Sequence, residues 1–357
     1  MAAGSFSDTS DISDIDHPWL RGMYFDLSFI AGLATVAIIS GIIVALKPES
    51  FLLVLTLDLW LLGYHHVAAT YTRLTFDSES WREHKNKVIY LPIIVAIAVT
   101  SMVLLIGPWL IATIYLHWQW YHYTRQSEGV SKAYAGRSGN FQLSANPCNR
   151  IIFYLVPFAG IVNLSAKAPE QFLFMPVATL PISPMFLLTV NALACAGFAW
   201  WMIVNLKKLQ QGKSSFPWFL YMMSHFAIFT IAYIAFDNIN FGWLVVNIWH
   251  NAQYILFVWH FNNKRFNGKV DTKHLLISTL SKNNNISIYL GATLALSSAT
   301  YFIIDLYGVD AVSSVFGVST IAAAMIVYQT INFHHYIVDA SIWKMRKSSV
   351  RTNLDIK

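Results

Sequence analysis

Histidine is the residue type whose distribution in this chain most invites chemistry. Of twelve histidines, nine lie in or at the edge of long apolar stretches: His65, His66, His117, His122, His225, His250, His260, His334 and His335. His17, His84 and His274 lie outside them. Ionisable side chains are costly in hydrocarbon, so a residue class that recurs there faces an interior site. Neutral imidazole suits iron, copper and zinc, whereas magnesium and calcium call for oxygen ligands.

Spacing refines that list. Adjacent residues of a helix point about 100° apart, so each doublet, His65-His66 and His334-His335, needs polar partners in two directions. At least one ligand from each doublet is therefore expected. The run His117-Trp118-Gln119-Trp120-Tyr121-His122 is a dense polar and aromatic belt with a histidine at either end. His250, Gln253 and Tyr254 share a helix face, as do His335 and Asp339, where the carboxylate would orient the imidazole. A plain structural role competes at two positions. His225 stands alone on its segment, as an interhelical hydrogen-bonding histidine does. His260, in Trp259-His260-Phe261, fits an interfacial aromatic belt equally well. Asp26 and Asp58 also fall within apolar stretches, and each needs a buried partner or a polar cavity.

The elements that must position these residues follow from composition. Hydrophobic residues make up 56% of the 357 and charged residues 12%, against about a quarter charged in soluble domains. The fold class expected is an all-α polytopic integral membrane protein, because the apolar runs are continuous rather than alternating as in a barrel. Hydropathy places ten spans, at 24 to 46, 51 to 75, 88 to 107, 108 to 126, 150 to 166, 185 to 206, 216 to 236, 241 to 263, 286 to 307 and 311 to 343. With that numbering all but two of the 24 Lys and Arg, the exceptions being Lys47 and Lys167, collect on one face. Positive charge marks the cytoplasmic side, so both termini are expected there, in a membrane such as the bacterial inner membrane. The histidines then sit in the cytoplasmic half or near the midplane: His66 about 10 Å above Arg73 and His335 about 14 Å above Lys344 at 1.5 Å per residue. Residues 1–20 read as a disordered tail, 21–345 as one transmembrane domain and 346–357 as a basic tail. The net charge of +6 is scattered over short loops, which excludes a nucleic-acid stripe. Cys148 and Cys195 form neither a disulfide framework nor a zinc pattern.

Histidines carried on several helices near one membrane face resemble the histidine-rich membrane oxygenases, the fatty-acid desaturases and hydroxylases and the Brp/Blh carotene dioxygenases. The resemblance is one of type: desaturases carry HxxxH and HxxHH boxes, whereas this chain has His65-His66, His117 with His122, and His334-His335. It implies a non-haem iron centre of one or two ions, or another transition metal, that uses dioxygen on a lipid or isoprenoid drawn from the bilayer. Gln253, Tyr254 and Asp339 would stand behind the ligands. Two other functions use the same residues: a transporter for a transition metal or metal complex along a histidine-lined path, and a haem protein with two axial histidines. Oligomeric state is not legible.

Overall fold

The computed structural model describes residues 18–76, 78–345, 347–354 and 356. Of the segment expected as an N-terminal tail only 18–20 fall among them, and there Leu20 is buried in the core.

Ten long helical rods follow one another along the described chain. They are α1 Met23–Leu46, α2 Pro48–Leu74, α3 Ser78–Leu105, α4 Pro108–Arg137 and α5 Pro147–Ala166. After a small antiparallel hairpin of Gln171–Phe172 with Met175–Pro176 come α6 Pro184–Gln210, α7 Phe216–Ala235, α8 Ile239–Arg265, α9 Asn283–Phe316 and α10 Thr320–Ile342. Local chemistry sets their starts. Proline occupies the first turn of α2, α4, α5 and α6, where its missing N–H is no loss. The side chains of Asn146, Ser183, Ser215 and Ser319 accept from the first free N–H groups of α5, α6, α7 and α10, as helix caps do.

One expected boundary moves. The break between the last two spans lies at Gly317, in the left-handed region at φ 63°, rather than near residues 308 to 310. Gly308 keeps helical angles at the end of a π-helical turn, Ile304–Gly308, so the chain runs through it. The rods α3 and α4 also extend beyond the apolar cores expected for them, to Ser78 and Arg137. The basic C-terminal segment is no free tail: Ser348–Asn353 forms a short helix, α11, and Val350, Leu354 and Ile356 are buried in the main core.

Seven rods, α1, α2, α3, α5, α6, α7 and α9, are long and apolar enough to cross a membrane. They carry broad apolar surfaces open to the surroundings, such as Ile93, Ile94 and Ile97 on α3 and Leu188 and Leu193 on α6, which suits lipid rather than water. The remaining rods, α4, α8 and α10, are more polar yet 30, 27 and 23 residues long. Burial explains how they tolerate that polarity. From Gly242 to Asn263 every residue of α8 except Leu256 is buried, and α4 and α10 each bury a polar face. Close approach of α8 to α7 depends on Gly242, where a Cβ would stand 1.8 Å from the Ala232 carbonyl oxygen.

The rods α2, α4, α8 and α10 run in the same direction, as their lateral pairings show. Gln119, Tyr123 and Gln126 of α4 meet Trp243, Asn247 and His250 of α8 in rising order. Tyr64 and Thr70 of α2 likewise meet Tyr328 and His335 of α10. Parallel rods keep residues of matching depth side by side, and these four are the rods on which the clustered histidines lie.

Candidate metal centre

Each of the four parallel rods contributes one imidazole to a common point: His66 from α2, His122 from α4, His250 from α8 and His335 from α10. All four are buried, as is Asp339, one turn beyond His335. The nearest ring pairs, with centroids 4.5 to 5.4 Å apart, are His66 with His335, His122 with His250, His122 with His335, and His66 with His250. Ligating atoms of His66, His122 and His250 lie within 4.8 Å of one another, and so do those of His122, His335 and Asp339. The closest approach is between the Nε2 atoms of His66 and His335, at 2.9 Å. Metal–nitrogen bonds of about 2.1 Å at right angles would hold two nitrogens about 3.0 Å apart.

Proton placement around the cluster is set by which neighbours can only accept. Nδ1 of His66 lies 2.7 Å from the Gly63 carbonyl oxygen, so that nitrogen carries the hydrogen and Nε2 presents a lone pair. Nδ1 of His335 lies 3.1 Å from Thr70 Oγ1, which is 2.9 Å from Tyr254 OH, which donates to Asp339 Oδ1 at 2.6 Å. A cation bound at the cluster would hold Asp339 ionised, and Tyr254 would then donate to the carboxylate, Thr70 to Tyr254 and His335 to Thr70. His335 then also presents a bare Nε2. In that protonation state the Nε2 atoms of His66 and His335, 2.9 Å apart, would both face the bound cation. The other carboxylate oxygen, Asp339 Oδ2, lies 3.5 Å from His335 Nε2 and 4.0 Å from His122 Nε2. It is buried with no hydrogen-bond partner, as are His122 Nε2 and His250 Nε2. Five inward-facing donor atoms lacking protein partners, or set against one another, form the set a transition metal takes.

Aromatic side chains wall in the cluster. Tyr336 stacks on His122 at 4.1 Å and Tyr123 lies on His250 at 4.3 Å. Tyr123 donates to Asn247 Oδ1 at 2.6 Å, and Asn247 in turn donates to Asp58 at 2.6 Å. Asp58 thus anchors a brace beneath His250.

The other five histidines are held elsewhere. His65 Nε2 meets Thr293 on α9 at 2.5 Å and its Nδ1 faces the Leu61 carbonyl. His334 faces the Lys87 carbonyl on α3 at 2.8 Å. His225 bonds Ser127 and the Phe153 carbonyl and stacks on Phe153 at 3.8 Å. His117 binds the Thr113 carbonyl one turn back on its own helix, and His260 is packed near Phe25. Tyr254 joins the hydrogen-bond chain behind His335, whereas Gln253 turns toward the Phe29 carbonyl and Tyr221. Three positions escaped the sequence reading: Gly63, Thr70 and Tyr336. Thr70 was findable, since it stands one turn beyond His66 on the same face.

Chambers flank the cluster along the helix axes. On the side of the helix C-termini a throat of about 70 Å³, lined by Trp118, Tyr121, Tyr254, Phe257 and Tyr336 among others, reaches His122 and Asp339. On the opposite side a chamber of about 270 Å³ reaches His66 past Asn247 and Asn251. Its wall includes Tyr64 and Tyr301, stacked at 3.8 Å, and Tyr328. No protein-family model, curated protein or solved structure matches this chain.

Proposed function

We propose that the protein is a membrane-embedded, histidine-ligated non-haem iron oxygenase or desaturase acting on a lipid or isoprenoid. The observation that carries this reading is the convergence of four imidazoles and one carboxylate, from four parallel helices, on a buried point reached by two chambers. A nitrogen-rich set with one carboxylate suits iron, and iron with open positions supplies dioxygen activation when bound. The protein's own part is to fix the tautomers of His66 and His335 through Gly63 and Thr70, keep bulk water out with Tyr123, Tyr336 and Tyr254, and admit an apolar chain between aromatic walls. In this reading ten spans cross the membrane, with both termini cytoplasmic. Reporter fusions at Lys132 and Lys273 should read cytoplasmic, and those at Lys47 and Lys167 periplasmic.

Bis-histidine haem fits the site poorly. A porphyrin needs the plane around its iron free, and here the space beside any imidazole pair is filled by the other two. A metal-transport path draws support from the presence of chambers on both sides, and metal uptake into proteoliposomes would separate it from an enzyme. The direct test of catalysis is lipid and isoprenoid extracts from cells expressing the protein, compared by mass spectrometry with cells expressing His122→Ala. Products gaining oxygen or losing two hydrogens only with the intact chain are expected. Identical extracts, together with metal uptake, would overturn the enzyme reading.

A further inference from the structure

The throat at His122 and Asp339 leads into a wider vestibule of about 660 Å³, with which it shares Arg125, Gly129, Ala340, Trp343 and Met345. To the shared Arg125 the vestibule lining adds Lys132, Lys344 and Arg351, around one acid, Glu128. Glu128 is buried and already shared: Arg125 pairs with it, Lys132 Nζ lies at 2.8 Å and Arg150 Nε at 3.1 Å, and Tyr154 donates to it at 2.6 Å. Three cations on one carboxylate leave positive charge unmatched. Lys344, half-buried in the same lining, has no acidic partner among the described residues.

Basic residues at helix ends often reach toward lipid phosphates simply because they lie at the interface. Lys207 and Lys208 at the end of α6 are of that kind. The vestibule differs because its cations surround a concave space, and because that space continues through an aromatic throat to the imidazole cluster. Apolar walls at one end and excess positive charge at the other match a molecule with an apolar chain and an anionic end.

We infer that the vestibule is the headgroup site of the substrate, taking the phosphate or carboxylate of a single-chain amphiphile whose chain enters the throat toward His122. This inference names the substrate class of the proposed oxygenase and rests on that reading, but binding can be measured without metal. The probe is radiolabelled dodecyl phosphate, below its micellar concentration, added to full-length protein in phosphatidylcholine nanodiscs. One saturable site per chain is expected. Lys132→Gln combined with Lys344→Gln should weaken binding about tenfold or more, as loss of charge-assisted contacts does. Lys132→Arg combined with Lys344→Arg should restore it, and Lys207→Gln with Lys208→Gln should change it less than about twofold. Unaltered melting temperature and iron content in the variants show that the fold is kept.

Three results would each overturn the inference. Displacement by equal dodecyl maltoside would mean a purely apolar site. Displacement by equal inorganic phosphate would mean a free-anion site. Loss of binding in phosphatidylglycerol discs would mean that bilayer lipid is the occupant. Equal weakening by the Lys207 and Lys208 changes would reduce the effect to surface charge and would also count against it. His122→Ala should lose iron yet still bind dodecyl phosphate, so failure of the headgroup site and failure of the metal centre read differently.

Discussion

His66 Nε2 and His335 Nε2 face each other across 2.9 Å, although the two residues are 269 positions apart in sequence. Each is oriented by a hydrogen bond at its other ring nitrogen, with the Gly63 carbonyl in one case and with the Thr70 hydroxyl in the other. The pair is held as ligands are held, from behind, and removing the support should matter nearly as much as removing the ligand.

Thr70→Ala and Tyr254→Phe each cut the chain that runs from His335 to Asp339. Both should weaken iron binding about 10 to 100-fold without unfolding the protein, the usual consequence of losing a partner behind a ligand. Titration of metal-free protein with ferrous iron against a competing chelator checks this. Affinity equal to that of the unaltered chain in both variants would show that the chain does not orient His335.

Acidification should empty the centre. Only neutral imidazoles ligate, so binding iron excludes protons from the ring nitrogens, and protons compete as pH falls. Iron should stay bound at about pH 7.5 and be released only as pH falls well below the usual imidazole range of about 6.5. Dialysis at stepped pH with elemental analysis of each sample tests the sign: tighter retention at about pH 5 than at about pH 7.5 would contradict it.

Gly242→Ala should destabilise the bundle, because the added methyl would meet the Ala232 carbonyl oxygen at 1.8 Å and force α8 away from α7. A cost of about 1–3 kcal/mol is expected for such overpacking, visible as a lower melting temperature in detergent. Since α8 carries His250, iron occupancy should fall as well. Gly129→Ala, where nothing lies within 4 Å of the added methyl, is the control and should melt no lower than the unaltered protein, since Ala favours the helix interior.

Helix positions were legible because the signals are local: the Gly107-Pro108 break, prolines in first turns and long apolar runs. The boundary at Gly317 was missed because hydropathy put the break near residues 308 to 310, where the chain runs on through a π-helical turn ending at Gly308. The same kind of turn explains why the doublets could be recognised but not resolved. The stretch Leu59–Gly63 is π-helical, and one inserted residue rotates the remainder of the helix by about 100°. That rotation helps decide whether His65 or His66 faces the cluster, and hydropathy carries no trace of it. His335 with Asp339, and His250 with Tyr254, were legible because an i, i+4 pair shares a face whatever the rotation. His225, alone on its segment, read as a candidate for interhelical hydrogen bonding as well as for a ligand, and its Ser127 and Phe153 contacts are of the first kind.

One histidine of each doublet should hold metal and its neighbour should not. Iron content of purified protein, prepared without chelators and reconstituted with ferrous iron, tests this in His65→Ala, His66→Ala, His334→Ala and His335→Ala. About one ion per chain is expected in the unaltered protein and in the His65 and His334 variants, because those imidazoles bond Thr293 and the Lys87 carbonyl and not the ion. Less than about a tenth of an ion is expected in the His66 and His335 variants. Full iron in all four, or loss in the His65 and His334 variants with retention in the other two, would contradict the assignment of His66 and His335 as ligands.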